Sequence, residues 1–179
     1  MRADAVRNVD AILEAGARLL SENPSATITA IAAEAGLTRR AVHRRFSDRE
    51  ALLDAVLHRK LDAVEAVLAN ARLDTAPIVV ALHRFVEGII EVVRRYPISQ
   101  YQTRDRAEFH PRMLGQREQF DTFLNRAVEQ GVIRSDLPDG LARAQLRVIV
   151  AVLARKCGHI DPPRAADLAV QTLLRGTGV

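Results

Sequence analysis

Residues 27–46 read TITAIAAEAGLTRRAVHRRF, and the spacing of their apolar side chains decides the fold. Ile28, Ile31, Ala32 and Ala35 fall on one face of a short helix, and Val42 and Phe46 on one face of a second. Between them Gly36 supplies the positive φ at which a helix ends, Leu37 plugs the corner, and Thr38 can cap the second helix by accepting from its free N–H groups. The pattern is a helix-turn-helix. Arg39, Arg40, His43 and Arg44 point away from the apolar pair. A merely solvated helix face mixes charge signs for local pairing, yet the run from Thr38 to Arg45 holds Arg39, Arg40, Arg44 and Arg45 and no acid. Such a cationic face on a short second helix points to duplex DNA.

Upstream, Val9, Ile12, Leu13, Gly16 and Leu20 keep the spacing of an amphipathic helix over about residues 6–20. Gly16 lies on that stripe, where it costs ~1 kcal/mol of helix propensity against alanine, so a close approach by a neighbouring helix is expected. Asn23-Pro24-Ser25 ends the helix, its proline also excluding N-glycosylation, and Thr27 caps the next. Three helices then occupy residues 1–46. Downstream, Ser47-Asp48-Arg49-Glu50 reads as a capping box, with Ser47 accepting from the Glu50 N–H and Glu50 reaching back to the Ser47 N–H. Leu52, Leu53, Val56, Leu57, Leu61, Val64 and Leu68 sustain one stripe to about Ala71, a long helix leading out of the head.

Past that helix, Asp74-Thr75-Ala76-Pro77 is a break whose proline opens a new helix, carried by Ile78, Leu82, Phe85, Val86, Ile89 and Val93 as far as Tyr96-Pro97. Residues 98–108 are polar and weakly periodic, a short helix or an irregular linker, with Arg104-Asp105-Arg106 as surface and Phe109-His110-Pro111 as a break. A helix over 113–130 turns Phe120, Phe123, Leu124 and Val128 inward and stops at Gly131. Two more helices, 141–156 and one capped by Asp161-Pro162-Pro163 running to Leu174, are apolar over more than one stripe. That is more apolar surface than one small core hides, and a subunit interface is the expected use. No strand pattern occurs, so the fold class is all-α.

With 179 residues, 48% of them hydrophobic, the chain can bury a real core. A net charge of +4 is too modest to argue for nucleic acid by itself; the clustering of the arginines carries that argument. The N-terminus lacks a signal-peptide core, and no window reaches the ~18 apolar residues of a membrane span. A cytoplasmic protein with no membrane partner is expected. Cys157 is the single cysteine, which fits a reducing compartment. Cys157, His159 and Asp161 alternate suggestively but match no established zinc spacing, and Asp105, Glu108 and His110 share no rigid element. With no HExxH, phosphate-binding glycine loop or GxSxG, the sequence predicts no enzyme, no metal and no cofactor.

These residues resemble the TetR-type transcriptional repressors. The likeness rests on Ile12-Leu13, Thr27 before Ile31-Ala32, Ala35-Gly36-Leu37-Thr38, Val42, Phe46 and Ser47-Asp48-Arg49-Glu50-Ala51-Leu52. More weakly, Glu129-Gln130-Gly131-Val132-Ile133 followed by Asp136-Leu137-Pro138 is similar to the segment before that family's dimerisation helices. The resemblance implies a three-helix helix-turn-helix head (1–46), joined by a connecting helix (47–71) to a C-terminal helical domain for effector binding and dimerisation (72–179). It implies a homodimer through 141–156 and 162–174, a palindromic double-stranded DNA operator, and release by a small-molecule effector. Three positions depart from the family: Arg40 where glycine is usual, His43 where tyrosine is usual, and Glu22-Asn23-Pro24 where the first loop carries a glycine. A helical protein-interaction adaptor that keeps the head as scaffold is the alternative those departures allow.

Within that scheme Arg39 and Arg40 are the expected base readers, since a guanidinium can donate twice to the O6 and N7 of guanine. Thr29, Thr38, His43, Arg44 and Arg49 are placed for phosphates, Arg45 toward the sides, and Thr27 is counted among the DNA-binding residues. Phe85, Tyr96, Tyr101, Phe109, Phe120 and Phe123 are candidate pocket residues for an apolar or aromatic effector, with His83 or His110 as a polar anchor. Plain core is the competing use of such aromatics.

Overall fold

Leu52, Leu53, Val56 and Leu57 recur at helical spacing and are all buried, as the connecting stripe requires. A computed structural model describes residues 2–98 and 106–178, with side chains from residue 7 onward. Its helices are α1 (Arg2–Glu22), α2 (Ile28–Glu34), α3 (Arg39–His43), α4 (Arg49–Ala71), α5 (Ile78–Arg95), α6 (His110–Glu129), α7 (Leu141–Arg155) and α8 (Pro162–Thr177). A 3-10 turn, Ala107–Phe109, leads into α6. Among the described residues the only β pairing is an isolated antiparallel bridge between Ile133 and Gly178. The fold is all-α. Expectations that fall on Tyr101 and on Arg104-Asp105 lie outside the described residues.

The chain forms two compact units, Met1–Leu61 with Arg95–Ala107, and Asp62–Arg94 with Glu108–Val179. The division therefore falls inside α4 rather than at its end, and residues 95–107 group with the head. In the first unit Ile12, Leu13, Ala17 and Leu20 of α1 are buried together with Ile31, Val42, Leu52 and Val56. Polar ties reinforce this core: Arg18 pairs with Glu34 at 3.1 Å, Arg59 with Asp10 at 3.1 Å, and Arg95 with Glu14 at 2.6 Å. Lys60 donates to the Ile98 carbonyl at 2.6 Å.

Gly16 faces α4 as expected, but a methyl built on it would lie 3.4 Å from Val56 Cγ2, an ordinary contact. Glycine is not required there. One helical position that does leave no room for a side chain is Gly88 in the second unit, where an added Cβ would fall 2.7 and 2.9 Å from the two Val67 methyls. That unit's core joins Leu68, Leu82, Val86, Ile90, Phe123, Leu146, Ala169 and Leu173. Arg94 donates to the carbonyls of Leu153, Cys157 and Ile160 at 2.8–3.4 Å, holding the α7–α8 turn.

Two boundaries depart from the sequence reading. Pro111 opens α6 instead of breaking the chain: it occupies the first turn, where a missing N–H costs nothing. The expected Ser47–Glu50 capping box does not form. Asp48 is the cap, its Oδ1 accepting from the Ala51 N–H at 2.8 Å, while the Ser47 hydroxyl donates to Asp48. A carboxylate caps as well as a hydroxyl, and with α4 beginning at Arg49 only Asp48 has the right offset.

Candidate nucleic-acid interface

Each boundary of the helix-turn-helix is made by a local signal. Thr27 is extended (φ −84°, ψ 155°) and its hydroxyl accepts from the Ala30 N–H at 3.2 Å, starting α2. Gly36 ends α2 in the left-handed region at φ +68°, and the Leu37 N–H reaches back to the Ala32 carbonyl at 2.9 Å. Thr38 repeats the capping geometry for α3 by accepting from the Ala41 N–H at 3.2 Å. Ile31, Ala32 and Val42 are buried, while Ile28, Ala35, Leu37 and Phe46 are half-buried. The buried face orients the exposed one.

On that exposed face stand Thr29, Thr38, Arg39, Arg40, His43, Arg44 and Arg45. Helix α3 is one turn and a half long, so Arg44 caps it and Arg45 lies in the following turn. Among the described residues Arg39, Arg40, Arg44 and Arg45 have no ion-pair or side-chain hydrogen-bond partner, whereas Arg18, Arg59, Arg95 and Arg106 of the same unit are paired with acids. A cluster of guanidiniums without acidic partners concentrates positive charge in one patch.

Arg49 differs from the rest of the expected set. Its guanidinium donates to the Pro24 carbonyl in the α1–α2 corner and pairs with Glu50 at 2.5 Å. It braces α4 against that corner, so it is less available to a phosphate than its place in the first turn suggested. Asp48 beside it titrates below its ordinary value of 3.8, chiefly because the Ala51 N–H donates to its carboxylate, helped by the Ser47 hydroxyl.

The aromatic set expected to line a pocket divides. Phe85 stacks on Phe120 with centroids 4.3 Å apart, and Phe120 meets Phe123 at 5.7 Å; all three, with the buried Phe109, belong to the second unit. Tyr96 falls in the first unit with Arg95, and burial pushes its phenol above the ordinary range against the opposing pull of Arg95 and Arg59. His83 Nδ1 lies 3.4 Å from Asp167 on α8, at a half-exposed site. Arg106, read from sequence as surface, is instead held by Asp54 and Glu50 of α4 with its side chain only 16% exposed. The acids at 50 and 54, one helical turn apart, were the sequence signal for such a partner, but nothing local named which cation it would be.

Among the described residues no helix is long and apolar enough to cross a membrane, and no group of three His, Cys, Asp or Glu is disposed to hold a metal ion.

Residues 12–56 match the family model described as "Bacterial regulatory proteins, tetR family". Over 82 residues the chain is 35% identical to the HTH-type transcriptional repressor LfrR of Mycolicibacterium smegmatis, an alignment covering 46% of this chain and 43% of that protein. The chain thus spans less than half of that relative by sequence. Two solved structures share its fold over nearly the whole length. The ketosteroid transcriptional regulator KstR2 of Mycobacterium tuberculosis superposes with a TM-score of 0.76 at 21% identity, covering 94% of this chain and 93% of that one. LfrR of Mycobacterium smegmatis superposes with a TM-score of 0.74 at 22% identity, covering 99% of both; its complex with proflavine gives 0.62 at 24%.

Proposed function

We infer, from a head that belongs to the tetR family of bacterial regulatory proteins, that this chain binds double-stranded DNA and regulates transcription, as a homodimer on a palindromic operator. The observation that carries this reading is the unpaired, exposed cluster Arg39, Arg40, Arg44 and Arg45 set beside buried Val42. With the N-terminal residues of α3 entering the major groove, Arg39 and Arg40 meet base edges, and Thr27, Thr29, Thr38, His43 and Arg44 meet the backbone. Arg45, in the turn beyond α3, faces the flanks.

Repression is the favoured direction, supported by the repressor LfrR as a relative. The homodimer is placed on α7 and α8, and the observation that supports it is on α7, where Val148 and Val152, one turn apart, are 58% and 48% exposed. A second copy is the occupant that covers them. Release by a small apolar or aromatic effector is supported by the phenylalanine cluster of the second unit and by a structural neighbour solved with proflavine. Selection of bound fragments from random or genomic DNA tests the reading: enrichment of a two-fold symmetric site supports it, and no enrichment at low ionic strength overturns it. A thermal-shift screen of small hydrophobic compounds tests the effector: a hit supports it when the same compound lowers DNA affinity.

A further inference from the structure

The first turn of α4 carries an acid, Glu50, five residues beyond Arg45. A carboxylate suits the helix there, because the free N–H groups of a helix N-terminus favour negative charge. It does not suit a surface that receives phosphates. The Glu50 side chain is 59% exposed, yet it is neutralised from two sides. Arg49 Nη1 lies 2.5 Å from Oε1, and Arg106 Nη2 donates to Oε2. The other arm of the same guanidinium, Arg106 Nη1, donates to Asp54 Oδ1 one turn further along α4. With both terminal nitrogens committed and the side chain largely buried, Arg106 serves α4 rather than solvent.

Resting on the DNA-binding reading above, we propose that Arg106 is a positioning residue for DNA binding: by neutralising Glu50 it removes a repulsive charge from the end of α4 that follows the recognition helix. Arg106 stands just before the Ala107–Phe109 turn, outside the helix-turn-helix.

The test is fluorescence anisotropy with the full chain and a labelled duplex that the wild-type protein recovers from a random-sequence pool, at low salt. Arg106→Ala weakens binding roughly three- to tenfold, a difference that shrinks as added salt screens it. Glu50→Gln binds at least as tightly as wild type, and in that background Arg106→Ala changes affinity by less than about twofold. Arg134→Ala, which removes a guanidinium paired with Asp136 in the other unit, leaves affinity unchanged and controls for net charge. A contact that only holds the fold makes Glu50→Gln weaken binding as Arg106→Ala does; that result, or an Arg106→Ala variant that binds like wild type, overturns the proposal. Should Arg106→Ala fail to fold, the sign of the Glu50→Gln effect decides alone. A wild-type protein that recovers no duplex overturns the proposed function itself, a distinct outcome.

Discussion

Arg40 occupies the second position of α3, exposed and unpaired among the described residues, the position at which the proposed docking in the major groove puts a base reader. Arg40→Ala is expected to lose about 1–3 kcal/mol on the selected operator and to relax one base position; a uniform loss over all sequences, measured by competition binding, would assign it to the backbone instead. Asp48 adds one contribution to acid sensitivity. Its carboxylate titrates below its unfolded value because the Ala51 N–H donates to it. The cap therefore stabilises the fold fully above the ordinary carboxylate range and is lost as pH falls through the lowered value. Urea melts on the acid side should show this loss, and Asp48→Asn, which can still cap, should flatten it. Caps of this kind were largely legible in the sequence, since Thr27, Gly36 and Thr38 act on neighbours three or four residues away. Ser47 and Asp48 were not separable, because both residue types cap and only the start of α4 chooses between them.

At the scale of the elements, helix existence followed from apolar spacing, while close approaches did not. Gly16 was visible as a glycine on a stripe; the structure shows that alanine also fits there. Gly16→Ala is expected to be neutral or stabilising by up to ~1 kcal/mol. Gly88 gave no such signal, because it lies off the stripe of Ile78, Leu82, Phe85, Val86, Ile89 and Val93; the structure sets it against Val67, whose branched side chain cannot swing both methyls clear. Gly88→Ala is expected to cost about 1–3 kcal/mol, measured by chemical denaturation, with Val67→Ala recovering part of it. The aromatic set divides for a related reason. Helical spacing put Phe85 and Tyr96 in one helical run, but periodicity carries no information on which compact unit receives the residue that follows a helix end.

For the whole molecule, the pairing of distant charges was the least legible feature. The tie from Arg106 to Glu50 and Asp54 spans about fifty residues of sequence, and no local pattern selects it over a solvated arginine. The proposed homodimer was legible only as a surplus of apolar surface on α7 and α8; of the large apolar side chains described on those two helices, Val148 and Val152 of α7 are the exposed ones. Fully burying one valine is worth up to ~2 kcal/mol. Val148→Asp with Val152→Asp is accordingly expected to shift the protein to monomer in light scattering, and to abolish high-affinity binding to a two-fold symmetric duplex while leaving the melting of the head intact. Unchanged mass would remove α7 from the interface.

The most direct measurement of the central claim is a salt titration of duplex affinity, comparing the wild type with the triple variant Arg39→Ala, Arg40→Ala, Arg44→Ala. The account predicts binding by the wild type at low ionic strength that falls steeply with salt, and a variant that binds weakly with a slope shallower by roughly one unit for each phosphate contact removed. A wild type that ignores every duplex offered, or a variant that matches its affinity and slope, would contradict it.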